Sequence, residues 1–436
     1  MKFFTSLFAF SLFSGSLWAQ DTTNQRVDLH FQTTYIYQYK PGFHADYSGP
    51  NSISNHEEKQ NSLTATMYLG IRLCKGAEIY INPEVAGGSG LSGAFGMAGS
   101  TNGETFRVGD PAPTLYLGRA YLKQTIALNK KKESVEDNEN QLGGNEPTRF
   151  LRFYVGKFSI GDFFDNNNYA NGPRTQFLNW GLMSNAAWDY SANLRGYSAG
   201  ITTMLQWDKM TYKLCVAAMP TVANGGELNL DYGMSRGINA EVAKSITINK
   251  KAGHVRLLGY LNEANMGTYA IAIKNAVPTI APDVISTEKN GTRKYGFGLN
   301  IDQELSDNVG AFGRIGWNDG KTETWAFTEA DRTLALGVSL KGKMWHQKED
   351  NVGIAMVVNG LSADHKNYLA AGGLGFQLGD GHLKYANEMI AEAYYSYKPT
   401  NYGMWLTGDY QFAMNPGYNH ARGPLQVFSL RLHVEI

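Results

Sequence analysis

Between Gly161 and Tyr190 the chain sets Asp162, Asp165 and Arg174 among Phe163, Phe164, Phe177, Leu178, Trp180, Trp188 and Tyr190. Carboxylates, a guanidinium and large rings in one connection suit a neutral, hydroxyl-rich ligand. The C–H faces of a pyranose ring stack on aromatics, and its hydroxyls exchange hydrogen bonds with ionised side chains. Trp180 and Tyr190 are the candidate stacking surfaces; Arg174, Asp162 and Asp165 are the candidate hydroxyl partners. Each of these charged residues equally fits a salt bridge that holds the connection in shape. So many apolar side chains do not suit a segment waving freely in water, and the connection is expected to fold inward and pack.

Other chemistries lack their residues. There is no G-x-S-x-G motif and no Ser/His/Asp spacing for an acyl-transfer site. The nine histidines are scattered without metal-ligand spacing, so neither a metal nor a cofactor is expected. Cys74 and Cys215 cannot form a disulfide framework and read as inert thiols ahead of a single bridge. Lys+Arg and Asp+Glu balance at 39 each, which gives no reason to expect a nucleic-acid partner.

The elements that must position the loop are strands. From Phe428 to Ile436 apolar and polar residues alternate strictly, placing Phe428, Leu430, Leu432, Val434 and Ile436 on one face and Ser429, Arg431, His433 and Glu435 on the other. The same alternation recurs over 63–73, 77–82, 151–155, 210–216, 295–301, 334–340, 352–358 and 404–412. The longest of these reach about ten residues, the length a tilted strand needs to cross a bilayer. Past residue 19 no run approaches the roughly eighteen apolar residues of a spanning helix, but a barrel hides its hydrophobicity in alternation. Met1–Ala19 reads as a secretory signal peptide: a basic start, an apolar core and a small residue at the break. Residues 20–436 then form a single domain.

A β-sandwich also alternates. The export signal and the amphipathic last strand favour an all-β transmembrane antiparallel barrel, whose polar strand faces line a water-filled lumen. Long polar connections at 39–61, 88–112, 161–195, 219–236, 263–293, 318–331, 360–388 and 413–424 alternate with short turns, giving about sixteen strands. In that count 161–195 is the third external loop. Lys130–Pro147 is a charged segment on the periplasmic side, and Gly372–Gly379 belongs to the seventh loop. Arg72, Arg119 and Arg152, on early strands, are the expected wall opposite the third loop.

Several stretches carry a resemblance. They include Tyr47–Ser52, Val155–Phe158, Asp162–Asn167, Pro173–Trp180, Ala187–Tyr190, Tyr295–Asn300, Trp317–Lys321, Tyr368–Gly373 and Arg431–His433. Through them the chain, from about residue 32 to the end, resembles the carbohydrate-selective porins of the OprB family. The resemblance implies a sixteen-stranded barrel in the outer membrane of a Gram-negative bacterium, in contact with its lipid. It implies passive diffusion of monosaccharides, with arginines and a loop aromatic at the constriction. Homotrimer and monomer both stay open, as do a general diffusion pore and a surface adhesin or receptor. One departure is the last residue: such chains usually end in an aromatic, and this one ends in Ile436.

Overall fold

The alternation resolves into sixteen antiparallel strands that close on themselves. The computed structural model describes residues 25–104, 112–327, 329–399 and 402–436; the expected signal peptide, 1–19, lies outside them. The strands are β1 (Val27–Lys40), β2 (Glu58–Cys74), β3 (Ala77–Gly87) and β4 (Thr114–Ala127), then β5 (Phe150–Phe158), β6 (Ser198–Trp207), β7 (Met210–Ala217) and β8 (Arg236–Ile248). There follow β9 (Lys251–Ala264), β10 (Thr292–Ser306), β11 (Val309–Asn318) and β12 (Arg332–Lys341). The last four are β13 (Asn351–Gly360), β14 (Glu388–Tyr397), β15 (Met404–Met414) and β16 (Leu425–Glu435).

Each strand pairs with the next in sequence, and β16 returns to pair with β1 from Gln32↔Glu435 to Tyr39↔Phe428. Two further backbone bonds, between Phe31 and Ile436, extend this seam to the final residue. Closure leaves no unpaired strand edge, which lipid would not tolerate.

The barrel is inside out relative to a soluble core. Leu29, Phe31, Ile201, Leu214, Leu257, Phe297, Ile315, Leu336, Ile354 and Leu430 are exposed on the outer face. Thr66, Asn82, Lys123, Glu241, Asn262, Asn300, Arg314 and Arg431 are buried on the inner face. An apolar exterior with a polar interior is the arrangement a bilayer selects. Exposed rings also gather near strand ends: Trp207, Tyr395 and Tyr397 towards the short turns, Tyr295 and Phe297 towards the long connections. That is where aromatic side chains meet the membrane–water interface. Among the described residues no helix is long and apolar enough to cross a membrane.

Short turns, which face the periplasm in bacterial barrels, join strands at one end and long connections join them at the other. The Lys130–Pro147 segment lies at the short-turn end, between β4 and β5, as a ribbon in which Lys132–Val135 pairs with Gly144–Pro147. Gly372–Gly379 falls in the connection between β13 and β14, after a helix, Ala363–Ala370. Cys74 is exposed, Cys215 is buried, and both are free.

Candidate functional site

A cavity of about 610 Å³ lies within the ring, in the size range of small-molecule sites. Its wall combines strand residues Gln32, Tyr68, Glu84 and Arg119 with Asp162, Arg174, Trp180 and Tyr190 from the third long connection. Local structure fixes several of these. Asp162 ends a single 3-10 turn, Ile160–Asp162, whose Ser159 forms a capping box with it. Trp180 opens a short helix, Trp180–Met183, capped by Asn179, whose side chain accepts from the Gly181 N–H.

Two arginines organise the charge. Arg119 meets Asp162 in a two-pronged pair at 2.7 and 2.6 Å, and its guanidinium lies over the Tyr197 ring at 5.3 Å. Arg174 donates to Glu104 at 2.7 Å, to Glu84 at 3.1 Å, and to the Thr66 and Tyr68 hydroxyls at 3.0 Å each. Burial alone would lower the Arg174 pKa, but Glu104 and the groups around it raise it well above its ordinary value. Glu84 also accepts from Thr66, Tyr116 and Tyr197, and the Tyr197 hydroxyl accepts from Arg119 at 3.5 Å. The Tyr68 hydroxyl accepts from Gln32 and Arg174 and keeps its own hydrogen for a further partner. Ionised donors and acceptors therefore sit side by side around the cavity, whose lining sets Glu84, Glu104, Glu139, Asp162, Asp165 and Glu435 against Arg119, Arg174 and Arg195.

Beside them Trp180 and Tyr190 stack with centroids 6.1 Å apart, and Phe327 packs on both at 5.2 Å. Trp180 is 4% exposed and Tyr190 7%, so each presents an edge and not a whole face to the cavity.

The expected site residues divide. Arg119, Asp162, Arg174, Trp180 and Tyr190 meet at the cavity. Asp165 borders it but is spent on structure, accepting from Arg314, Asn300 and the Asn185 N–H. Arg72 and Arg152 require correction, because neither lines the cavity. Arg72 pairs with Glu78 at 3.1 Å across the Lys75–Gly76 turn, and Arg152 pairs with Glu146 at 2.6 Å near the start of β5. Alternation tells which face a residue occupies but not how deep along the strand it lies.

Glu84, Glu104, Tyr68, Tyr116 and Tyr197 were not anticipated. Glu84 continues the inward register of Glu78, Tyr80 and Asn82, but Pro83 reads as a strand breaker. The strand survives because its pairing with β4 shifts between Asn82 and Pro83, where a missing N–H costs little. One set of residues also has metal-ligand spacing, Asp28, His30 and Asp137 at the periplasmic mouth. There His30 Nε2 stands 2.6 Å from Asp28 and 3.9 Å from Asp137, separations that an ion pair already explains.

Side chains of several strands hydrogen-bond the 161–195 connection. On β8 Glu241 accepts from the Asp165 N–H, and on β10 Asn300 donates to the Asp165 carbonyl. Arg314 on β11 donates to the carbonyls of Leu182, Asp165 and Ala170. Glu392 on β14 accepts from the N–H groups of Leu178 and Asn179, and Arg431 on β16 donates to the carbonyls of Pro173 and Gln176.

No curated protein sequence matches the chain. Among solved structures, the high-pH structure of OprB from Pseudomonas putida is similar with a TM-score of 0.71 at 15% identity, over 94% of each chain. The outer membrane channel DcaP of Acinetobacter baumannii is similar with a TM-score of 0.53 at 10% identity, over 94% of this chain and 97% of that one. At such identities the likeness speaks to the fold. The family model for carbohydrate-selective porins of the OprB family matches residues 51–436. With its closed sixteen-stranded barrel, the chain therefore belongs to the OprB family of carbohydrate-selective porins and is a channel of the Gram-negative outer membrane.

Proposed function

We propose that the protein admits neutral monosaccharides, glucose-like in size, by passive diffusion through a lumen narrowed by the 161–195 connection. The observation that carries this reading is the cavity where Arg119, Asp162, Arg174 and Glu84 stand in mutual pairs beside the Trp180–Tyr190 stack. In this reading the third connection crosses the lumen, supported by its hydrogen bonds to strands as far apart as β2, β11 and β14. Ion pairs set side by side give dense local donors and acceptors. A sugar hydroxyl crossing the site exchanges its water for a carboxylate oxygen or a guanidinium N–H. The edges of Trp180 and Tyr190 guide its C–H surface. The proposal includes no turnover: the chain acts as a channel and not as an enzyme, and residues 1–19 act as a cleaved export signal.

Planar bilayers test it. Purified protein should give discrete conductance steps that glucose reduces in a concentration-dependent way. Conductance indifferent to every monosaccharide tried would make this a general diffusion pore. Trp180→Ala removes a stacked partner worth about 0.5–1.5 kcal/mol, so block should weaken roughly three- to tenfold while the barrel still assembles. Unchanged sugar uptake by proteoliposomes of Trp180→Ala and Arg174→Ala would remove this connection from the site.

A further inference from the structure

The ribbon between β4 and β5 does not trail into the periplasm. Its base is clamped to the inner wall: Glu146 pairs with Lys123 at 3.0 Å and with Arg152 at 2.6 Å. Leu142 is 1% exposed, and its N–H donates to the Tyr80 hydroxyl on β3. A Cβ at Gly70 of β2 would come within 3.2 Å of the Leu142 side chain, so a glycine there makes room for the leucine. The Gly143 carbonyl accepts from Arg72, and its N–H donates to Gln25. The inward-facing charges at 72 and 152, out of place at the sugar cavity, are thus fasteners for this ribbon.

The tip is a tight turn closed by reciprocal backbone bonds between Asn138 and Gln141. Asn140 adopts a left-handed φ of 56° there, which asparagine tolerates. Glu139, Asn140 and Gln141 all border the cavity, together with Gln32 and Glu435. The Gln32 amide donates to Glu139 at 2.7 Å and also to the Tyr68 hydroxyl, which in turn accepts from Arg174. A hydrogen-bonded chain therefore runs from the ribbon tip to the arginine at the external side of the cavity.

We propose that this ribbon is a second, periplasm-side filter, whose tip residues Glu139, Asn140 and Gln141 contact the sugar as it leaves the Arg174 site. The inference rests on the sugar-channel reading above. The cavity then has two unlike ends. Above, Arg119 and Arg174 are paired with carboxylates; below, Glu139 and Glu435 both border the cavity as acids. That lower end offers acceptors to sugar hydroxyls and disfavours anions. The side-chain amides of Asn140 and Gln141 add groups able both to donate and to accept.

Two variants test it in planar bilayers and in liposome swelling. The first replaces residues 137–142 with a two-residue Asn-Gly turn, shortening the ribbon; the second is Glu139→Gln. Trimming should raise single-channel conductance about twofold and admit disaccharides that the intact channel excludes. Glu139→Gln, which needs no rebuilding, should shift the reversal potential in a salt gradient towards anions at nearly unchanged conductance. A folded, trimmed barrel with the parent's conductance and size limit would overturn the proposal. If the trimmed chain does not fold, a parental reversal potential in Glu139→Gln overturns it instead. Failure of the sugar reading gives a different result: glucose block is absent in the parent protein, while trimming still changes conductance.

Discussion

Arg174 joins more of the cavity than its neighbours do, bonding Glu84, Glu104, Thr66 and Tyr68 from one guanidinium. Its removal leaves the Glu84 carboxylate, 4% exposed, without its cation. Breaking a buried pair by deleting one partner costs about 3–5 kcal/mol locally, because the remaining charge is uncompensated. Arg174→Ala should therefore disorder the site, abolish sugar block and tilt the channel towards cations, read as a reversal potential in a salt gradient. Arg174→Lys keeps the charge but loses the planar fork, so it should recover ion selectivity better than sugar block. Equal recovery of both would mean that only the charge matters. Arg174 and Trp180 were legible because both sit in one polar and aromatic connection. Glu84 was hidden behind Pro83, and Arg72 was misplaced although the Lys75–Gly76 turn beside it marks the strand end. Face follows from periodicity; depth needs the turn to be located first.

At the scale of elements, the third connection has no regular structure beyond short helical turns, so most of its backbone groups need partners from elsewhere. Strand charges supply them with matched sign: Arg314 and Arg431 meet carbonyls, while Glu241 and Glu392 meet N–H groups. The apolar load of this connection made its need to pack legible, but not what receives it. Polar residues alternate on nearly every strand, and nothing in the pattern distinguishes Arg431 from an arginine facing open water. The last strand illustrates this, since its wet face reads as plain lumen wall and proves to grip Pro173 and Gln176. Arg431→Met unfastens both carbonyls at a cost of about 1.5–3 kcal/mol per charge-assisted bond. Amide exchange over 171–178 should then accelerate roughly a hundred- to ten-thousandfold, with noisier single-channel current and an intact barrel. Exchange at the parental rate would mean that Arg431 only fills space.

Over the whole molecule, the sixteen strands and the alternation of short turns with long connections were legible because the bilayer imposes one rule on every strand. The tertiary arrangement of the long connections was not, since their contacts bring together residues far apart in sequence. Three of them, 265–291, 319–331 and 361–387, are joined by buried carboxylates. Glu323 accepts from the Gly267 N–H at 2.5 Å, and Glu329 accepts from the N–H groups of Gln377 and Leu378 at 2.9 and 2.6 Å. Burial pushes Glu323 up to about 7 and Glu329 up to about 6, with the Gly267 hydrogen bond to Glu323 and the charge of His365 near Glu329 only partly opposing it. A carboxyl whose pKa is raised by docking binds its proton more tightly docked than free. Its contribution is therefore complete below the free carboxylate value and is lost as pH rises through 6 and 7. Asp331, beside them, is shifted the other way: burial would raise it, but His365 and other partners hold it below its ordinary value. Its window lies below about pH 4 and does not offset the loss near neutrality. These three connections together form an external cap, which should accordingly be tightest near pH 5 and loosen by pH 8. Hydrogen exchange at Gly267, Gln377 and Leu378, corrected for the intrinsic rate, should become faster across that range. Glu323→Gln, which cannot ionise, should flatten the change at Gly267 while leaving that at Gln377 and Leu378. Protection that rises with pH, or a parental profile at Gly267 in the variant, would show that these carboxyls do not govern the cap.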